Sequence, residues 1–168
     1  MRSAIFVDAE NIERAGARLM RYGVLRRFVE HLGSVVVLAR TYLAFDRERE
    51  LCDDAFRRGK EGFRFAVERA GFETVLTVVR RFRRPDGTTV SRANADSEII
   101  VDALFDPSTF DFVVLVSGDG DFVPAVNALQ RHGKRVDVIG FEATSHALRQ
   151  VASRFHNGFA VPGLVPTH

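Results

Sequence analysis

Short apolar runs and amphipathic stretches alternate along this sequence from end to end, and few architectures accept that rhythm. Residues 4–7 read as a brief strand. Ile12, Ala15, Leu19 and Tyr22 then recur at helical spacing, and Leu25, Phe28, Val29 and Leu32 carry the stripe past Gly23. The pattern predicts further strands over 34–43, 72–82, 112–116 and 136–140, and helices around 63–70 and over 96–105, 122–131 and 145–155. Residues 83–87, Arg-Arg-Pro-Asp-Gly, are turn chemistry. Strand followed by helix, five times over, predicts an α/β chain on a parallel sheet with helices on both faces. No linker or repeat divides the chain, so 1–160 is expected to be one domain and 161–168 a C-terminal tail.

With 168 residues, 46% hydrophobic and 27% charged, the chain can bury the core of one ordinary domain. No apolar run approaches the ~20 residues of a membrane span, and the first is too short for a signal-peptide core. The single cysteine, Cys52, excludes an internal disulfide and a multi-cysteine zinc site. A cytoplasmic protein with no membrane partner is the expectation. The net charge is only +2, but Lys60 and Lys134 are the sole lysines, so nearly all the positive charge is arginine. Arginine suits bidentate phosphate contacts, and the codon usage of a GC-rich genome explains it equally simply.

In open parallel sheets, ligands bind beyond the carboxyl ends of the strands, where strand order reverses. Asp8 and Asn11 follow the first strand, and Asp119 and Asp121 follow the fourth. Asp96 opens the helix before the fourth strand and shares a face with Ile100, Ala103 and Leu104. Asp102, on the face of Glu98 and Asp106, is expected in solvent. Singly, each acid has a plain explanation, because Asp8 and either Asp119 or Ser117 can cap the helices that follow. Together, three or four carboxylates in one crevice repel and raise each other's pKa unless a cation neutralises them. A hard divalent ion with oxygen ligands, Mg²⁺ or Mn²⁺, is the natural occupant. It keeps waters, one of which can serve as nucleophile at neutral pH. Acid clusters of this kind suit phosphodiester hydrolysis.

Arg80-Arg81-Phe82-Arg83-Arg84 ends the third strand on the way to Asp96, and Arg92 is the nearest base before that acid. Arginines with an aromatic among them can hold a phosphate backbone and stack a base, or form a solvated face. Arg14, Arg18 and Arg21, at i, i+4 and i+7, fit the solvated face better. Other chemistries fall away. Gly118-x-Gly120 lacks the third glycine of a dinucleotide fingerprint, no P-loop exists, and the five histidines are scattered. Ser117 has no histidine partner at a strand end. Cys52, spaced with Ala55 and Phe56, is expected to be a small buried residue.

Three landmarks occur in order: Phe6-Val7-Asp8-Ala9-Glu10-Asn11-Ile12, Asp96 before a helix, and Val116-Ser117-Gly118-Asp119-Gly120-Asp121-Phe122. They resemble the NYN domain family of PIN-like nucleases, in particular its LabA-like bacterial branch, over about residues 4–155. The resemblance implies a Rossmann-like three-layer α/β/α sandwich around a five-stranded parallel sheet of order 3-2-1-4-5, with strands one and four adjacent. It also implies metal-dependent cleavage of RNA, single-stranded or structured. Asp8, Asp96, Asp119 and Asp121 would be the catalytic acids holding Mg²⁺ or Mn²⁺, and Asn11 and Ser117 would support the metal or a phosphate oxygen. Arg80, Arg81, Arg83, Arg84 and Arg92 are the candidate substrate-binding bases. The family often has a lysine shortly before the Asp96 position, where this chain has Arg92, and an acid before the last aromatic, where it has Ala152-Ser153-Arg154-Phe155. A catalytically weak RNA- or partner-binding regulatory module and a small-molecule phosphohydrolase remain as alternatives. A homodimer, a regulatory protein partner and the role of the charged segment 46–60 stay open.

Overall fold

The computed structural model describes residues 1–93, 95–105 and 107–166. Its strands are β1 (Arg2–Asp8), β2 (Val35–Phe45), β3 (Glu73–Val78), β4 (Arg80–Arg83), β5 (Thr89–Arg92), β6 (Phe112–Val116), β7 (Arg135–Gly140) and β8 (Arg154–Asn157). Among the described residues, six of them form one parallel sheet in the order β3-β2-β1-β6-β7-β8, and β4 and β5 make a separate antiparallel hairpin. The helices are α1 (Ala9–Ile12), α2 (Tyr22–His31), α3 (Arg47–Cys52), α4 (Asp54–Arg69), α5 (Asp96–Phe105), α6 (Val123–Arg131) and α7 (His146–Val151).

Every residue of β1 after Arg2 is buried, and so is all of β6. Strands covered on both faces need apolar residues at every position, which is why these two read as continuous runs without alternation. Ile5, Val7, Val114, Val116 and Ile139 face α2 and α4 through Tyr22, Leu25, Val29 and Val67. Ala4, Phe6, Val113, Leu115 and Val138 face α5, α6 and α7 through Ile99, Ala103, Val126, Leu129 and Leu148. Each fully buried side chain of this size contributes roughly 1.5–3 kcal/mol. The two cores clamp β1 and β6, so whatever follows these strands is held on a rigid base.

The expected order of five strands is present, with a sixth added at one edge. The helix expected over 145–155 stops at Val151, because Ala152 turns extended (φ −60°, ψ 140°) and Arg154–Asn157 pairs with β7. The strand expected over 72–82 ends at Val78, and Arg80–Arg83 folds back on Thr89–Arg92 instead. The stripe from Ile12 breaks at Gly16, whose φ of 88° is open to glycine at little cost. Arg14, Arg18 and Arg21 therefore share no continuous helix: Arg14 Nε donates to the Glu10 carbonyl and Arg18 pairs with Glu13.

The charged segment 46–60 is helical, with Asp46 capping α3 by accepting from the Arg49 N–H and Asp53 capping α4 by accepting from the Phe56 N–H. Cys52, expected buried, is exposed. It ends α3, and its spacing to Ala55 crosses a helix break, so the two do not share one stripe. Asp102, expected in solvent, accepts from the Tyr42 O–H at 2.5 Å and pairs with Arg40 at 3.2 Å. Asp106, placed with it in the sequence, lies outside the described residues, as does Asn94. Within the expected tail, Val161 and Leu164 are buried, and the Arg21 N–H donates to the Leu164 carbonyl at 2.8 Å. Among the described residues no helix is long and apolar enough to cross a membrane.

Candidate metal centre

Val7 lies opposite Val116, so the chain leaves β1 and β6 at the same level and the residues after both strands meet. Asp8 is used twice. Its Oδ1 accepts from the Asn11 N–H at 3.0 Å and caps α1, and its Oδ2 accepts from the Ser117 O–H at 3.2 Å. Ser117 Oγ accepts in turn from the Asp119 N–H at 3.2 Å. Asp119 Oδ1 accepts from the Asp121 N–H at 3.0 Å and caps the short 3₁₀ turn Gly120–Phe122. Asn11 Oδ1 accepts from the Gly118 N–H at 2.8 Å, tying α1 to the loop after β6. For Asp8 and Asp119 the capping role and the place at the strand ends are therefore one arrangement: the cap aims the carboxylate.

The two glycines of Ser117-Gly118-Asp119-Gly120-Asp121 are there for close approach. A Cβ on Gly118 would come within 3.1 Å of the Thr144 Cα, and one on Gly120 within 2.9 Å of the Ser145 Oγ. The Ser145 N–H donates to the Gly118 carbonyl at 2.8 Å and closes this contact.

Asp96 arrives from the start of α5. One carboxylate oxygen from each of Asp96, Asp119 and Asp121 lies within 4.8 Å of the others. Asp8 stands outside this trio but acts on it through its charge. Burial first, then repulsion from Asp8, Asp119 and Asp121, pushes the Asp96 carboxyl up to about 6, against the pull of Arg14. Asp8 is also raised, chiefly by burial, with the hydrogen bonds from Asn11 and Ser117 and the charge of Arg14 opposing. Glu10 is raised by burial too, and Asp8 adds to the effect. Oxygen donors that destabilise one another when ionised match a hard divalent cation, which removes the repulsion by binding. The residues fit such an ion.

Thus the structure gathers Asp96, Asp119 and Asp121, sets Asp8 beside them, and uses Asn11 and Ser117 to brace the loops. It does not gather the arginines. Arg80, Arg81 and Arg83 lie exposed on β4 and Arg84 in the turn after it, while Arg92 occupies the β5 position opposite Arg80. Arg81, expected to bind substrate, pairs instead with Asp46 at 2.7 Å and Glu48 at 2.5 Å. Four contributors are not evident from the sequence pattern. Glu10 and Arg14 sit one helical turn apart directly after Asp8, and that spacing is the available signal. Thr144 and Ser145 close on the loop through a long-range contact with no local signature.

Comparison with known proteins gives relatives over most of the chain. LabA, the low amplitude and bright protein of Synechococcus elongatus, is 26% identical over 163 residues, covering 92% of this chain and 82% of LabA. The crystal structure of a Vibrio parahaemolyticus protein of unknown function is similar with a TM-score of 0.71 and 29% identity, covering 92% of this chain and 90% of that one. The model of the NYN domain family matches residues 2–159. With that match spanning nearly its whole length, the chain belongs to the NYN domain family, a family of PIN-like nucleases.

Proposed function

We propose that this protein is a metal-dependent ribonuclease that hydrolyses RNA phosphodiester bonds. The observation that carries this reading is the approach of Asp96, Asp119 and Asp121 to within 4.8 Å at the carboxyl end of the sheet. These three would hold Mg²⁺ or Mn²⁺, and Asp8 would add negative charge beside them. When bound, the cation supplies neutralisation of phosphate charge and acidification of water.

The chain's own residues do the remaining work. Asn11 and Ser117 hold the two loops in register, so the acids keep their spacing without reorganisation. Ser117 Oγ is fully buried and occupied by Asp8 and the Asp119 N–H, which argues against a covalent serine intermediate and for attack by water. Arg14, whose charge reaches Asp8 and Asp96, leaves the crevice less negative and would attract a phosphate oxygen.

The test uses labelled single-stranded RNA in Mg²⁺, in Mn²⁺ and in EDTA, with wild type beside Asp119→Asn. Asparagine keeps the cap to the Asp121 N–H while removing the charge. Cleavage that needs the metal and disappears in the variant is the expected result. Equal cleavage by both proteins would remove the site, and RNA retained uncut would make the protein a binding module. A chromogenic phosphomonoester hydrolysed in preference to RNA would point to a small-molecule phosphohydrolase.

A further inference from the structure

The hairpin between β3 and α5 is the most cationic element of the chain: residues 80–92 hold five arginines against one aspartate. Its register places Arg80 opposite Arg92, Arg81 opposite Ser91, Phe82 opposite Val90 and Arg83 opposite Thr89. Opposite residues share a face and neighbours alternate. One face therefore carries Arg81 and Arg83, the other Arg80, Phe82 and Val90. The face of Arg81 is turned to the body of the protein at its base, because Arg81 grips Asp46 and Glu48 at the start of α3. The opposite face points away from α3, and there Phe82 is 55% exposed. Arg83 and Arg84 lie exposed where the hairpin turns. Arg80, Arg83 and Arg84 make no ion pair among the described residues. A two-stranded hairpin with no core of its own gains no folding energy from an exposed aromatic set among unneutralised guanidiniums. The same set is what a single nucleic-acid strand requires: a ring for a base and cations for the phosphates.

Its position is defined by the sheet. Asp8 lies level with Tyr42, and β2 continues to Phe45, so Asp46 stands roughly 13 Å farther along the strand direction at about 3.3 Å per residue. The hairpin is pinned at that height. Its other end, Arg92, is four residues before Asp96, a reach of at most about 14 Å. Both ends of the hairpin are therefore tied to the carboxyl end of the sheet, the end at which the acids lie.

We propose that the β4–β5 hairpin is a cradle for single-stranded RNA, with Phe82 stacking on a base and Arg80, Arg83 and Arg84 neutralising the backbone. The strand it holds is led toward Asp96, Asp119 and Asp121, so the proposal rests on the ribonuclease reading for its substrate. Arg81 is a positioning residue that fixes the hairpin to α3. Duplex RNA, whose bases are already stacked, gains nothing from Phe82.

Fluorescence anisotropy with a short labelled oligouridylate in EDTA, where metal-dependent cleavage is stopped, tests this at several salt concentrations. Phe82→Ala is expected to weaken binding roughly 5- to 150-fold, and Phe82→Tyr to restore most of it. Replacing Arg80, Arg83 and Arg84 together by serine is expected to lower the slope of log affinity against log salt by about 2. Thermal melts should match wild type, since the hairpin lies outside both cores. Wild-type affinity and slope in these variants, no binding by wild type, or duplex bound as tightly as single strand would each overturn the cradle. Normal binding by the hairpin variants together with metal-dependent cleavage removes the cradle and leaves the acid centre. Hairpin-dependent binding with no cleavage leaves the cradle and removes the nuclease.

Discussion

Asp96→Asn tests whether the acid cluster is electrostatically strained when no cation is present. The Asp96 carboxyl lies at about 6 in the folded protein against 3.8 ordinarily. Between those values the folded state keeps a proton that the unfolded chain has released, so stability falls as pH rises through this window. It is fully present below about 3.8 and fully lost above about 6. Undiscounted, the shift corresponds to roughly 3 kcal/mol. Asp96 is only partly buried, and solvent screening reduces this to about 1–2 kcal/mol. Loss of a negative charge at the start of α5 opposes it by about 0.3–1 kcal/mol. The net expectation is that Asp96→Asn in EDTA at pH 8 gains about 1 kcal/mol, a Tm higher by about 2–4 °C for a domain of this size. At pH 4, where the folded protein already holds the proton, the gain should vanish. Differential scanning calorimetry at both pH values reads this directly. A variant less stable than wild type at pH 8, or one equally stabilised at pH 4, would refute the repulsion argument.

Further consequences follow from individual contacts. Asn11→Ala leaves the Gly118 N–H without its acceptor and should cost about 1–3 kcal/mol in a urea melt. Gly118→Ala places a Cβ 3.1 Å from the Thr144 backbone and should cost about 1–3 kcal/mol, together with loss of RNA cleavage. Asp137, fully buried, accepts from Arg135 Nη2 at 2.5 Å and contacts His156 Nε2 at 2.9 Å. Asp137→Ala strands that arginine and should cost about 3–5 kcal/mol. A loss well under about 1 kcal/mol would mean that solvent compensates the pair.

Much of this architecture is legible locally. The strand 112–116 and the helix 96–105 have the bounds expected, because one is an unbroken apolar run and the other ends before Pro107. The acids are legible as a set because α/β topology converts sequence position into spatial position: residues after adjacent strands must meet. The features that differ are decided by partners remote in sequence. Phe155 fits a helical stripe with Leu148 and Ala152, yet its backbone serves β8, where β7 offers an edge to pair with. Val78, Val79 and Arg80 read as one strand, but β2 ends at Phe45, so the bond from the Val79 N–H to the Phe45 carbonyl is the last that this ladder makes and the chain then leaves the sheet. Arg81 resembles its neighbours in sequence, and only the fold brings Asp46 and Glu48 to it. Asp102 is a similar case, since its partner Tyr42 lies 60 positions earlier and Arg40 is farther still.

Whether Asp96, Asp119 and Asp121 hold a divalent cation is read by titrating Mn²⁺ into the protein and following the free ion by electron paramagnetic resonance. Wild type should take up Mn²⁺ saturably, with Mg²⁺ competing, and Asp119→Asn should lose that uptake while remaining folded. Absence of uptake by wild type, or undiminished uptake by the variant, would contradict the account.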